Sequence, residues 1–120
     1  MVIILCITAA CNGDSSIQAS QAVENYLQAL VARDLNTMIS ASCSEWESQA
    51  RLEFDSFAAV KLTLNNMACK QTDEETPYSL IGCKGSITAN YGNEDLEIDV
   101  AERIYRVIKE AGEWRMCGYQ

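Results

Sequence analysis

The feature that most constrains this chain is a change of apolar period near Lys61. Before it, apolar residues recur every three or four positions. After it, they alternate, in runs separated by turn residues. Helices collected ahead of strands, with the two not interleaved, predict an α+β fold rather than a parallel α/β one.

The helical half divides into three. In "SSIQASQAVENYLQALVARDL", Val23, Tyr26, Leu27, Leu30 and Val31 form one apolar face. Ser15 with Gln18 offers a capping box, and Ser20 offers a later start. Asp34 is placed to open a short second helix through "LNTMISA", with Leu35, Met38 and Ile39 on one face. In "SEWESQARLEFDSFAAV", Ser44 and Glu47 have the spacing of a capping box. Trp46, Ala50, Phe54, Phe57 and Ala58 are the expected buried stripe there, with Cys43 just before the cap.

Four strands are expected beyond Lys61: "KLTLNNMACKQ", "YSLIGCKGSITANY", "EDLEIDVAERIYRVIK" and "EWRMCGY". Gly92-Asn93 and Ala111-Gly112 mark tight hairpins between the last three. A two-residue loop at Gly92-Asn93 pairs Ala89 with Leu96, Ile87 with Ile98, Gly85 with Val100 and Cys83 with Glu102. Apolar residues then share one face, while Ser86, Thr88, Glu97 and Asp99 take the other. Beyond Val100 the alternation breaks, because Glu102 and Arg106 fall on the apolar parity. A bulge near Ala101, or a polar-lined cavity, would account for it. The expected architecture is N-terminal helices packed on one face of a curved four-stranded antiparallel meander.

The net charge of −8, from 17 acidic and 9 basic side chains, disfavours nucleic acid and anionic lipid surfaces as partners. Histidine is absent, which removes the commonest general base and metal ligand. At 120 residues a single domain is expected.

The opening "VIILCITAACNGDSS" is apolar or small from Val2 to Ala10, about 15 Å as a helix and half of a bilayer core. Ile7-Thr8-Ala9-Ala10-Cys11 resembles a bacterial lipobox. That resemblance implies cleavage before Cys11, a diacylglycerol on its thiol, and export to the cell envelope. Residues 1–10 are then the end of a signal peptide, 11–16 a tether, and 17–120 the folded domain. No Lys or Arg precedes the apolar run, so the expected precursor starts upstream of Met1.

With Cys6 discarded and Cys11 lipidated, Cys43, Cys69, Cys83 and Cys117 remain. Their wide spacing does not suit zinc, and an even number in an exported domain suggests two disulfides. Strands two places apart in a meander lie about 9.6 Å from each other, beyond the roughly 7 Å that a disulfide tolerates. This excludes Cys83–Cys117 and Cys69–Cys117, leaving Cys69–Cys83 and Cys43–Cys117. Buried free thiols are the alternative.

"AVENYLQALVARDLNTM" and "YRVIKEAGEWRMCGY" resemble the first helix with its turn, and the last hairpin, of the cone-shaped superfamily of nuclear transport factor two and ketosteroid isomerase. Some uncharacterised bacterial lipoproteins are similar across most of Ala22 to Tyr119. The resemblance implies fold more than function, since the superfamily hosts enzymes, transport factors and envelope domains.

Asp95, Glu97 and Asp99 alternate as in a calcium loop. The glycine such a loop needs at its sixth position is Val100, so a solvated strand face is expected. Enzymes of the resembling superfamily use a carboxylate in the cone. Glu102 is the nearest candidate, with Tyr105 and Arg106 as helpers, and none matches a family catalytic motif. Trp114 and Tyr119 are expected at the core edge. The resulting expectation is a non-catalytic, membrane-anchored binding or interaction domain without metal or cofactor. A small isomerase or dehydratase is the alternative, and a purely structural envelope component a third.

Overall fold

A computed structural model of the chain describes residues 15–120. The apolar opening and Cys11 lie outside the described residues. Three helices come first: α1 (Ser15–Val31), α2 (Leu35–Ser40) and α3 (Glu47–Ser56). Five strands follow: β1 (Lys61–Glu75), β2 (Tyr78–Asn90), β3 (Asp95–Asp99), β4 (Ile104–Glu110) and β5 (Glu113–Tyr119). The architecture is α+β, with an antiparallel sheet ordered β1-β2-β4-β5 and β3 also paired to β2.

Helix α1 buries its expected face: Val23, Tyr26, Leu27 and Leu30 are at most 2% exposed. They meet Ile81, Ile87, Tyr105, Val107 and Met116 from the sheet in one core. Ser15 and Ser16, expected in the tether, are the first described residues of α1. Ser20 lies inside the helix and donates to the Ile17 carbonyl at 2.9 Å. The helix stops earlier than expected because Arg33 takes a positive φ of 60°. Asp34 then caps α2, accepting from the Thr37 N–H at 3.2 Å.

The capping box expected at Ser44 does not form. Ser44 instead opens a 3-10 turn through Trp46, and α3 starts at Glu47. The backbone N–H and hydroxyl of Ser44 both donate to Glu110, at 3.1 and 3.0 Å. A tertiary carboxylate thus supplies what a local cap would have. The stripe of α3 is also shallower than expected. Ala50 is fully buried, Trp46, Phe54 and Phe57 are partly buried, and Ala58 is exposed beyond the helix end.

The single third strand expected from the sequence is two. β3 pairs with β2 in the expected register, Ala89 with Leu96 and Ile87 with Ile98. The expected pairs Gly85–Val100 and Cys83–Glu102 are absent, because Val100–Glu102 form a 3-10 turn. Asp99 stabilises that turn by accepting from the Ala101 N–H at 2.9 Å. β4 then rejoins β2 with Ile81 opposite Tyr105, one residue out of phase with β3. The shift places Tyr105 and Val107 in the core, both fully buried.

Three register shifts adjust the remaining pairs, one of them at Thr72 on β1. Asn66 and Met67 oppose Gly85, whose φ of 103° suits glycine; a Cβ there would lie 2.5 Å from the Asn65 carbonyl oxygen. Near the end of β5 the register slips between Met116 and Tyr119, at Cys117-Gly118. There Cys117 bonds Cys43. The segment before Cys43 also closes the outer edge of β5: Met116 N–H donates to Ala41 O at 2.7 Å, and Cys43 N–H to Met116 O at 2.8 Å. The second disulfide joins Cys69 to Cys83, direct cross-strand partners on β1 and β2. Two disulfides suit an oxidising, extracytoplasmic compartment. Among the described residues, no helix is long and apolar enough to cross a membrane.

Candidate functional site

Ala50, Glu53, Phe54 and Phe57 share the inner side of α3, so one carboxylate rides on an otherwise apolar stripe. Glu53 is met there by three side chains, one of them held in turn by Trp46. Tyr26 on α1 is fully buried and donates its hydroxyl proton to Glu53 Oε1 at 2.6 Å. Trp46 Nε1 donates to that same hydroxyl at 3.1 Å. Tyr119, at the end of β5, donates to Glu53 Oε2 at 3.0 Å. Arg103, just after the 3-10 turn, brings a guanidinium nitrogen to 3.6 Å from Glu53 Oε2.

Aromatic stacking fixes the frame. The Tyr119 ring meets Trp46 edge-on at 5.7 Å and Tyr105 edge-on at 5.6 Å. The Arg103 guanidinium lies 4.2 Å from the centre of the Tyr119 ring. Tyr105 is fully buried, and its hydroxyl has no hydrogen-bond partner among the described residues.

The electrostatics keep the phenols protonated. Burial, and then the negative charge of Glu53, push the Tyr26 phenol far above the usual tyrosine value. The same two causes push Tyr119 up to about 12, against the opposing charge of Arg103. Tyr105 is raised by burial, with Arg103 opposing. Neutral phenols beside Glu53 are donors, and they occupy both of its oxygens.

The cluster floors a cleft of about 360 Å³ at the α3 side of the domain. Trp46, Leu52, Phe57 and Tyr119 give it apolar walls, and Leu52 is 62% exposed. Inward of the cleft the space is filled by Tyr26, Tyr105, Leu27, Leu30, Met38 and Met116, each at most 2% exposed.

Of the three residues singled out from the sequence, one reaches this cluster. Tyr105 stacks on Tyr119 within it. Glu102 is exposed on the 3-10 turn. The Arg106 guanidinium lies 5.1 Å from the centre of the Tyr78 ring, with its Nε buried and unpartnered among the described residues. Glu53 was missed, although a carboxylate at helical spacing with Ala50 and Phe57 was a readable signal. Asp95, Glu97 and Asp99 are exposed and spend their oxygens locally, Asp95 on Asn90 and Glu97 on Ser86 and Thr88. Among the described residues, no group of three acidic or cysteine side chains is placed to hold a metal.

No protein-family model matches the chain, and no curated protein matches it. Solved structures do. A SEC-C motif containing protein from Rhodopseudomonas palustris aligns with a TM-score of 0.56 at 10% identity, covering 86% of this chain and 79% of that one. An M. tuberculosis LEH-like epoxide hydrolase aligns at 0.54 with 15% identity, covering 88% and 84%. The helical cell shape determining protein Pgp2 from Campylobacter jejuni aligns at 0.53 with 14% identity. This chain covers 82% of itself in that match but 38% of the Pgp2 chain. These likenesses show a shared α+β fold, and at such identities nothing finer.

Proposed function

We propose that this chain is a lipid-anchored domain of the bacterial cell envelope that binds an apolar ligand or partner side chain in the Trp46–Tyr119 cleft without transforming it. The observation that carries the non-catalytic part is the state of Glu53. Both its oxygens already accept hydroxyl protons, from Tyr26 at 2.6 Å and Tyr119 at 3.0 Å. Drawing that carboxylate onto a substrate competes with the two charge-assisted hydrogen bonds that tie α1 and β5 to α3. The filled space inward of the cleft supports the same reading. The lipobox-like Ile7–Cys11 stretch supports the anchor, and the two disulfides support export.

Intact-mass analysis of the protein made in a bacterial host, with and without reductant, tests the anchor. Cleavage before Cys11, added diacylglycerol mass and two disulfides are expected. An uncleaved, unlipidated chain would overturn it. Titration with anilinonaphthalene sulfonate, followed through Trp46 fluorescence in a Trp114→Phe background, tests the cleft. Saturable binding lost in Leu52→Glu is expected, and binding untouched by that variant would overturn the site.

A second reading has one observation in its favour. Glu53, Tyr119 and Arg103 line a cleft, with Tyr26 bonded to Glu53 behind them, a composition suited to acid–base chemistry. A fold neighbour is also described as an epoxide hydrolase. An isomerase- or dehydratase-type enzyme would use Glu53 in the role first given to Glu102. Turnover of a trial substrate abolished in Glu53→Gln, with the fold intact, would favour it.

A further inference from the structure

A second groove, independent of the Glu53 cleft, runs along the outer face of α1. From Gln18 onward the exposed positions of this helix are Gln18, Gln21, Asn25 and Gln28, all neutral amides. They fall at i, i+3, i+7 and i+10, so they form one stripe about 15 Å long. On a chain with 26 charged side chains, an exposed helix face without charge is unusual. Ala22 and Ala29 floor the stripe, and Trp114 on β5 walls it. Two adjoining hollows, about 410 and 390 Å³, share Ala22, Asn25, Glu113 and Trp114.

The charges bordering the groove are already engaged. Glu113 pairs with Arg115 at 3.0 Å, and Arg115 also donates to the Ser40 carbonyl. Asp34 holds the backbone N–H and the hydroxyl of Thr37, at 3.2 and 2.7 Å. What faces a ligand is therefore a row of groups that both donate and accept, beside an aromatic wall.

We propose that this groove binds a neutral oligosaccharide bearing acetamido groups. Sugar hydroxyls and acetamides also donate and accept, which matches the amides. The apolar face of a pyranose ring suits the Trp114 side chain. A protein partner fits less well. The large exposed apolar side chains, Ile17, Leu52, Tyr91, Leu96 and Ile104, line neither hollow, and protein interfaces concentrate their energy in such anchors.

The test is a nitrogen-15 NMR titration of the disulfide-bonded protein with the β-1,4-linked trimer of N-acetylglucosamine. Saturable shifts are expected at the Trp114 indole and at the Asn25 and Gln28 side-chain amides, with the Trp46 indole still. Asn25→Leu, at an exposed position, should weaken binding at least about tenfold, the scale of one lost hydrogen bond to the ligand, and Trp114→Leu should weaken it by removing the flat aromatic wall. No saturable shift, shifts confined to Trp46, or unchanged binding in the folded Asn25→Leu variant would each overturn the proposal.

Discussion

Tyr26 and Glu53, 27 residues apart, share a 2.6 Å hydrogen bond that ties the first helix to the third. The phenol also accepts from Trp46, so one buried hydroxyl serves two partners. Tyr26→Phe keeps the ring and removes that hydroxyl. It strands the Trp46 N–H and withdraws one donor from Glu53. A loss of about 1–3 kcal/mol is expected, read as a lower denaturant midpoint with unchanged slope.

Alkaline pH should weaken this same junction. A phenol whose folded pKa is raised contributes stability that is complete below the unfolded value and lost as pH rises through the folded one. For Tyr119 that window runs from the ordinary value of 10.0 to about 12. Tyr26 shifts in the same direction and titrates later. Stability measured against pH should therefore fall above pH 10, and Tyr119→Phe should flatten the fall. A phenolate absorbance titration of the native protein showing all five tyrosines ionising near 10.0 would contradict this.

The two disulfides should differ in worth. Cys43–Cys117 spans a separation of 74 residues and Cys69–Cys83 one of 14. Chain entropy assigns them about 4.5 and about 3 kcal/mol. Cys43→Ala with Cys117→Ala should lower the melting temperature more than Cys69→Ala with Cys83→Ala. The first pair also anchors the segment that covers the β5 edge, so its loss should promote aggregation on warming, measured by light scattering.

The β4–β5 turn offers a stabilising change. Ala111 and Gly112 take φ of 52° and 83°, which asparagine tolerates better than alanine at the first position. Ala111→Asn should raise stability by about 0.5–1 kcal/mol, seen in thermal unfolding. Gly85→Ala acts oppositely, because its Cβ would meet backbone at 2.5 Å as well as a forbidden φ.

How much was legible in advance depended on how local the physics is. The face of α1, the cap at Asp34 and the β2–β3 register all rest on neighbours a few residues apart. Each was readable, and the strand order was enough to choose among cysteine pairings. At Ser44 the local signal misled, because Glu110, 66 residues away, supplied the carboxylate instead. At Val100 the sequence showed a broken alternation without saying how it would be resolved.

Alternation and turn residues in the sequence determined by themselves that helices would cover one face of an antiparallel sheet, since burying apolar surface with period 3.6 and then period 2 leaves few arrangements. The tertiary structure alone decided which carboxylate would matter. Glu53 and Glu102 are alike as letters. One faces two phenols and a guanidinium because α3 lies over the end of β5, and the other points to water from a one-residue shift in register. A site assembled from Tyr26, Glu53, Arg103 and Tyr119 exists only once the chain has folded, because its electrostatics arise between residues that the sequence keeps far apart.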